Sequence, residues 1–176
     1  MKYGKIDKVL LKSIQTDDFG QVKALVEQWT NINFNDPAAV DINATDVNGY
    51  SLIFGLKEPR AIKFLVKCGA QVNVKSKDGF SPLCLAVGRN RLDTAKALLD
   101  AGADVNYRIC HDGTALFFCK TIKMLKLLIE YRADINVKND YGYMVTETTP
   151  YKKIAKYINS LHKNGVEKAN KKGDKQ

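Results

Sequence analysis

The chain has only two histidines, His111 and His162, and its four cysteines form no Cys-x-x-Cys pair. A structural zinc site draws about four such ligands at tight spacing. No metal is therefore expected, and Cys68, Cys84, Cys110 and Cys119 read as reduced thiols. The histidines stand far apart, so no Ser-His-Asp or Cys-His nucleophile system is apparent. Gly49, Gly79 and Gly142 stand singly, which is a turn pattern and not a phosphate-cradling loop. The paired carboxylates Asp17 and Asp18 fall at an expected turn and read as helix caps or solvated groups. No apolar run approaches the ~20 residues of a membrane span. Met1 to Leu11 lacks both a long apolar core and a small-residue cleavage site, so no secretory leader is expected. These absences argue against an enzyme. They predict no cofactor, no membrane partner and a cytoplasmic setting.

What the chain does contain is ordinary for a soluble domain: 45% hydrophobic and 27% charged residues in 176. Its net charge of +9 is unevenly placed. From Pro150 onward, eight lysines face one Glu and one Asp, a net of +6, which leaves +3 for residues 1–149.

The informative feature is an internal repeat. Val40-Asp41-Ile42-Asn43, Ala70-Gln71-Val72-Asn73, Ala103-Asp104-Val105-Asn106 and Ala133-Asp134-Ile135-Asn136 align without gaps. Their asparagines lie 30, 33 and 30 residues apart. Six positions after each comes Gly49, Gly79, Asp112 or Gly142, and eight after comes Ser51, Ser81, Thr114 or Met144. Eight positions before the last three anchors lie Leu65, Leu98 and Leu128.

Physical chemistry accounts for this register. A Gly six residues on suits a tight turn with positive φ, and Asp tolerates that conformation better than most residues. A Ser or Thr two residues later can cap a helix with its hydroxyl. A short apolar helix follows, as in Pro82-Leu83-Cys84-Leu85-Ala86-Val87, with proline suited to the first turn. Leu92, Ala95, Leu98 and Leu99 then show helical spacing, and Gly102 terminates the second helix. Neither helix can bury its apolar face alone, so the units must stack.

The run from Asp78-Gly79-Phe80-Ser81-Pro82-Leu83 to Leu98-Leu99-Asp100-Ala101-Gly102-Ala103-Asp104-Val105-Asn106 closely resembles the ankyrin repeat. That family's pattern is a Gly-x-Thr-Pro-Leu-His start and a Leu-Leu-x-x-Gly-Ala-Asp-Val-Asn end. The expected fold class is all-α: an ankyrin-repeat solenoid of about five helix-turn-helix units joined by β-hairpin-like turns, two of them shortened to 30 residues. The family's histidine is replaced by Phe54, Cys84 and Phe117, so apolar packing is expected where the family has hydrogen bonds between turns. From first-helix anchor to second-helix leucine is 12 residues in Ile53–Leu65 and Leu116–Leu128, against 15 in Leu83–Leu98. The shortfall is expected in the first helix or the turn between helices.

A single domain over residues 1–163 follows. Residues 1–43 form a capping repeat, with helices over 5–15 and 19–29 and a loop insertion at 34–43. Leu25 lies eight residues before Asn33, as in the later units. Repeats span about 44–73, 74–106 and 107–136. A C-terminal cap covers 137–163, its second helix opening at Pro150 and presenting Ile154, Ala155, Ile158 and Leu161 on one face. A disordered lysine-rich tail, 164–176, completes the chain.

Ankyrin proteins generally recognise other proteins through hairpin tips and the inner-helix face, so the resemblance implies a non-catalytic, monomeric interaction module. Its variable tip positions map to Val47, Asn48 and Tyr50; Lys77, Asp78 and Phe80; Cys110, His111 and Gly113; and Asp140, Tyr141 and Tyr143. Tyr50, Phe80 and Tyr143 place three aromatics along one edge, with a gap at Gly113. Aromatics are frequent binding anchors. One alternative is a nucleic-acid or acidic-surface binder using the C-terminal lysines, although no aromatic interleaves with them after Tyr157. Another is a small immunity or inhibitor protein that blocks an enzyme.

Overall fold

The computed structural model describes residues 19–30, 41–109 and 113–163. Helix α1 (Phe19–Thr30) comes first, close to the expected 19–29 helix. The helix expected at 5–15, Asp17 and Asp18, Asn33 and most of the 34–43 insertion, Cys110 to Asp112, and the 164–176 tail lie outside the described residues.

Each later unit is a hairpin, a short first helix and a longer second helix. The second helices are α2 (Pro59–Lys67), α4 (Leu92–Asp100), α5 (Ile122–Glu130) and α7 (Lys152–Lys163). The first-helix positions hold a 3-10 turn at Leu52–Phe54, then α3 (Pro82–Gly88), a second 3-10 turn at Ala115–Phe118, and α6 (Val145–Thr148). Second helices stack on second helices and first on first, making two layers. The core lies between them, with Ile62, Leu65, Leu98, Leu116, Met124, Leu125, Leu128, Ile154 and Ile158 fully buried. Among the described residues there is no strand, only the isolated antiparallel bridges Thr45–Ser51, Ile109–Gly113 and Lys138–Met144 at the hairpins.

The shortfall of the 30-residue repeats falls in the first helix. It has seven residues in α3 but only three at Leu52–Phe54 and four at Ala115–Phe118. The capping unit is shortened in the same way, with four residues in α6. The contraction changes the caps. Ser81 Oγ accepts from the Cys84 N–H at 3.1 Å, as expected of a helix start. Ser51 and Thr114 make no such side-chain cap. Their carbonyls instead accept the tighter i+3 bonds, from Phe54 and Phe117 at 3.1 Å each. Helix α7 starts at Lys152, two residues beyond Pro150, and buries Ile154 and Ile158 while Ala155 and Leu161 are half-buried.

The anchor asparagines are clasps between units. Asn43 Nδ2 donates to the Gly69 carbonyl at 3.1 Å, and its Oδ1 accepts from the Gln71 N–H at 2.8 Å. Asn73 holds Gly102 and Asp104 at the same two distances, 3.1 and 2.8 Å. Asn106 holds Arg132 and Asp134, again at 3.1 and 2.8 Å. The clasped carbonyl belongs each time to the left-handed residue that ends a second helix: Gly69, Gly102 or Arg132, with φ of 94°, 90° and 66°. Each clasp spans one repeat and brings the next hairpin alongside.

Candidate interaction surface

The hairpins are rigidly made. The Asp46 carboxylate accepts from the Asn48 and Tyr50 N–H groups at 2.8 and 2.9 Å. Asn139 does the same for Tyr141 and Tyr143, at 3.1 and 2.9 Å. These short side chains close the turn locally and fix the direction in which each tip residue leaves the backbone. Tips also touch their neighbours. The Lys77 N–H donates to the Asn48 carbonyl at 2.8 Å. Arg108 reaches from the third hairpin to the fourth, donating to the Lys138 carbonyl and pairing with the Asp140 carboxylate, each at 2.6 Å.

The aromatic row divides in two. Tyr50 is half-buried, edge-on to Phe54 with ring centroids 5.0 Å apart. Phe80 is half-buried too, but against Phe118 of the following unit at 5.9 Å. At the Gly113 gap the ring of Phe117 fills the space: a β-carbon on Gly113 would lie 2.6 Å from it. So Phe54 and Phe117, two of the residues standing in for the family's histidine, pack against the hairpin of their own unit. The third, Cys84, is buried. At Phe54 and Phe117 the expected apolar packing is present.

At the other end the rings stand out. Tyr143 is 54% exposed and Tyr141 68%, and Val47 at the first tip is 81% exposed. Lys77, Asp78 and Asp140 are exposed as well, Asp140 carrying its partner Arg108. Cys110 and His111 lie outside the described residues.

Sequence reasoning passed over three residues at this edge, Tyr107, Arg108 and Lys75. Arg108 and Tyr107 follow the Asn106 anchor directly, before the positions singled out as tips. Lys75 lies 5.1 Å over the Tyr107 ring, which joins the second hairpin to the third. Away from the hairpins, Tyr151 in the turn just ahead of α7 is a further partly exposed tyrosine. A basic residue two positions after an anchor and an acidic one four after the next was the available signal for the Arg108–Asp140 pair.

Two groups have shifted ionisation. Burial pushes the Cys119 thiol up to about 11, partly offset by a hydrogen bond with the Thr121 backbone. The Tyr131 hydroxyl, which donates to the Asp100 carboxylate, is raised above its ordinary value by that bond. Neither lies at the hairpin tips. Among the described residues no group of three or more His, Cys, Asp and Glu side chains is placed to hold a metal, and no helix is long and apolar enough to cross a membrane.

Comparison with known proteins agrees with the architecture. A family model described as ankyrin repeats (3 copies) matches residues 10–109 and 50–139. An ankyrin repeat-containing protein of Schizosaccharomyces pombe is 31% identical over 98 residues, which is 53% of this chain and 47% of that protein. A putative ankyrin repeat protein of fowlpox virus is 27% identical over 143 residues, 77% of this chain and 31% of the relative. Ankyrin repeat and SOCS box protein 6 of Homo sapiens is 28% identical over 148 residues, 78% of this chain and 34% of the relative. The chain thus spans between 31% and 47% of the length of these relatives. Ankyrin repeats are in general protein–protein interaction modules. With its asparagine-clasped helix pairs and a family match over most of its length, the chain belongs to the ankyrin-repeat family.

Proposed function

We propose that this chain is a non-catalytic module that binds a partner protein across its hairpin edge, anchored at the C-terminal end by Tyr141 and Tyr143. The observation that carries the reading is the contrast along the aromatic row. Tyr50 and Phe80 are committed to packing, whereas Tyr143 and Tyr141 are exposed on a turn held by Asn139. A large ring on a preset turn loses little freedom on binding, which is why such residues concentrate binding energy. Arg108 and Asp140 satisfy one another beside these rings and form a polar rim. The same reading places the module in the cytoplasm as a monomer without cofactor, in keeping with thiols at Cys68, Cys84 and Cys119.

The test is affinity capture with the parent chain and with Tyr141→Ala/Tyr143→Ala, compared by mass spectrometry. A specific protein lost from the variant, with the circular dichroism melt unchanged, supports the assignment. The same protein held equally by both excludes these tyrosines as anchors.

A further inference from the structure

The folded chain gathers its positive charge on one layer. Helices α2, α4, α5 and α7 carry ten Lys and Arg against three Asp and Glu, a net of +7. All other described residues carry ten against nine, a net of +1. By helix the values are +3 on α2, −1 on α4, +1 on α5 and +4 on α7. In the linear sequence the excess reads as a C-terminal property. In the fold, the α7 lysines join those of α5, and α2 adds a second positive region beyond the near-neutral α4. All ten cations are exposed. Lys126 of α5 lies 5.8 Å over the Tyr157 ring of α7, so the two helices meet in a seam flanked by lysines. The hairpins 41–50, 70–80, 103–109 and 133–143 carry four cations against six carboxylates, a net of −2.

Against the expectation of no membrane partner, which rests on the lack of a spanning segment, we infer that the outer-helix layer is a peripheral docking surface for an anionic lipid bilayer, leaving the hairpin edge to hold a protein. Three observations select a bilayer. Nine of the ten cations are lysine, a compact hydrated charge suited to diffuse attraction; the forked guanidinium that grips single phosphates occurs there once, as Arg60. Among the described residues the large exposed apolar side chains, Val47, Tyr141, Tyr143 and Tyr151, lie at the hairpins and just ahead of α7, so α2, α4, α5 and α7 themselves present no exposed anchor for a protein partner and no stacking platform for bases. Stacked helices lie about 8–10 Å apart, which spreads the charge over a broad sheet and not along a groove. Attraction of this kind needs no inserted segment and is reversible.

The test is co-sedimentation of the full chain with phosphatidylcholine vesicles containing about one-third phosphatidylserine, against pure phosphatidylcholine. Binding is expected only to the anionic vesicles, and is expected to be lost on raising salt from about 0.1 to about 0.5 M. Each lysine near such a surface contributes about fivefold, so Lys123→Gln/Lys126→Gln/Lys153→Gln/Lys156→Gln should bind about 600-fold more weakly. Lys77→Gln/Lys138→Gln, on the hairpin side, should bind like the parent. If the fourfold variant loses its helical circular dichroism, Lys153→Gln/Lys156→Gln decides, with at least about a tenfold loss expected. Partition into neutral vesicles, undiminished binding by the variants, or tighter binding to a short DNA duplex or to polyglutamate at equal anion concentration overturns the inference.

Discussion

The amide nitrogen of Lys77 lies 2.9 Å from where a side chain on Gly49 would begin. Gly49 also has φ of +78°, a region that L side chains rarely adopt. The second hairpin leans on the first at the one residue able to accept both conditions, and the Asn48 carbonyl alongside takes the Lys77 N–H.

Gly49→Ala is therefore expected to cost more than Gly102→Ala. At Gly102, φ is +90° but nothing lies within 4 Å of an added β-carbon. That substitution should carry only the left-handed penalty of about 1–2 kcal/mol. At Gly49 the backbone of the neighbouring hairpin must also move, so a loss of about 3 kcal/mol or more is expected. Urea denaturation of the two variants checks the order, and equal midpoints would contradict it.

Asn73→Ala removes one donor and one acceptor that together clasp Gly102 and Asp104. Two net hydrogen bonds of about 1 kcal/mol each predict a fall of about 2 kcal/mol in unfolding free energy. Asn43→Ala and Asn106→Ala should behave alike, because their geometry is the same.

Stability and binding should separate along the aromatic row. Phe80→Ala removes the ring that packs on Phe118 and is expected to destabilise by about 2–3 kcal/mol. Tyr141→Ala, at a side chain 68% exposed, should change stability by less than about 0.5 kcal/mol. Thermal melts of the two variants provide the comparison.

Alkaline pH should weaken the fold through Cys119. Its folded value of about 11 lies above the ordinary 9.0, so the neutral thiol is favoured by folding. The contribution is complete below about pH 9 and disappears as pH rises through about 11. The parent chain should lose stability across that window by about 2–3 kcal/mol more than Cys119→Ala. Parallel pH profiles of the two would refute this.

The stacking register was legible in the sequence because it rests on backbone requirements that few residues meet. Asparagine clasps, left-handed glycines and buried leucines at fixed offsets leave a countable pattern. The position of the shortfall was not legible. A shared spacing of 12 residues between Ile53 and Leu65 fits either a shorter helix or a shorter turn, and only the folded chain shows the 3-10 geometry. The repeat register gives the tip positions but not their environments. Whether Tyr50 faces solvent depends on Phe54, and whether Phe80 does depends on Phe118 in the next unit. Periodicity gives no information about such contacts between neighbours. Charge has the same limit: counting along the chain finds the lysine-rich end, whereas only helix stacking shows which lysines of other units share a layer with it.

The asparagine clasps recognise only main-chain atoms of the neighbour, a carbonyl and an N–H. The side chains at the recognised positions differ between units: Gly69, Gly102 and Arg132 at one, Gln71, Asp104 and Asp134 at the other. The joint asks of its receiving side only a residue that takes a positive φ at the first position. A duplicated or transplanted unit that brings its own asparagine needs no matching mutation in the unit that follows, so the stack can lengthen or exchange members one at a time while its exposed edge diversifies.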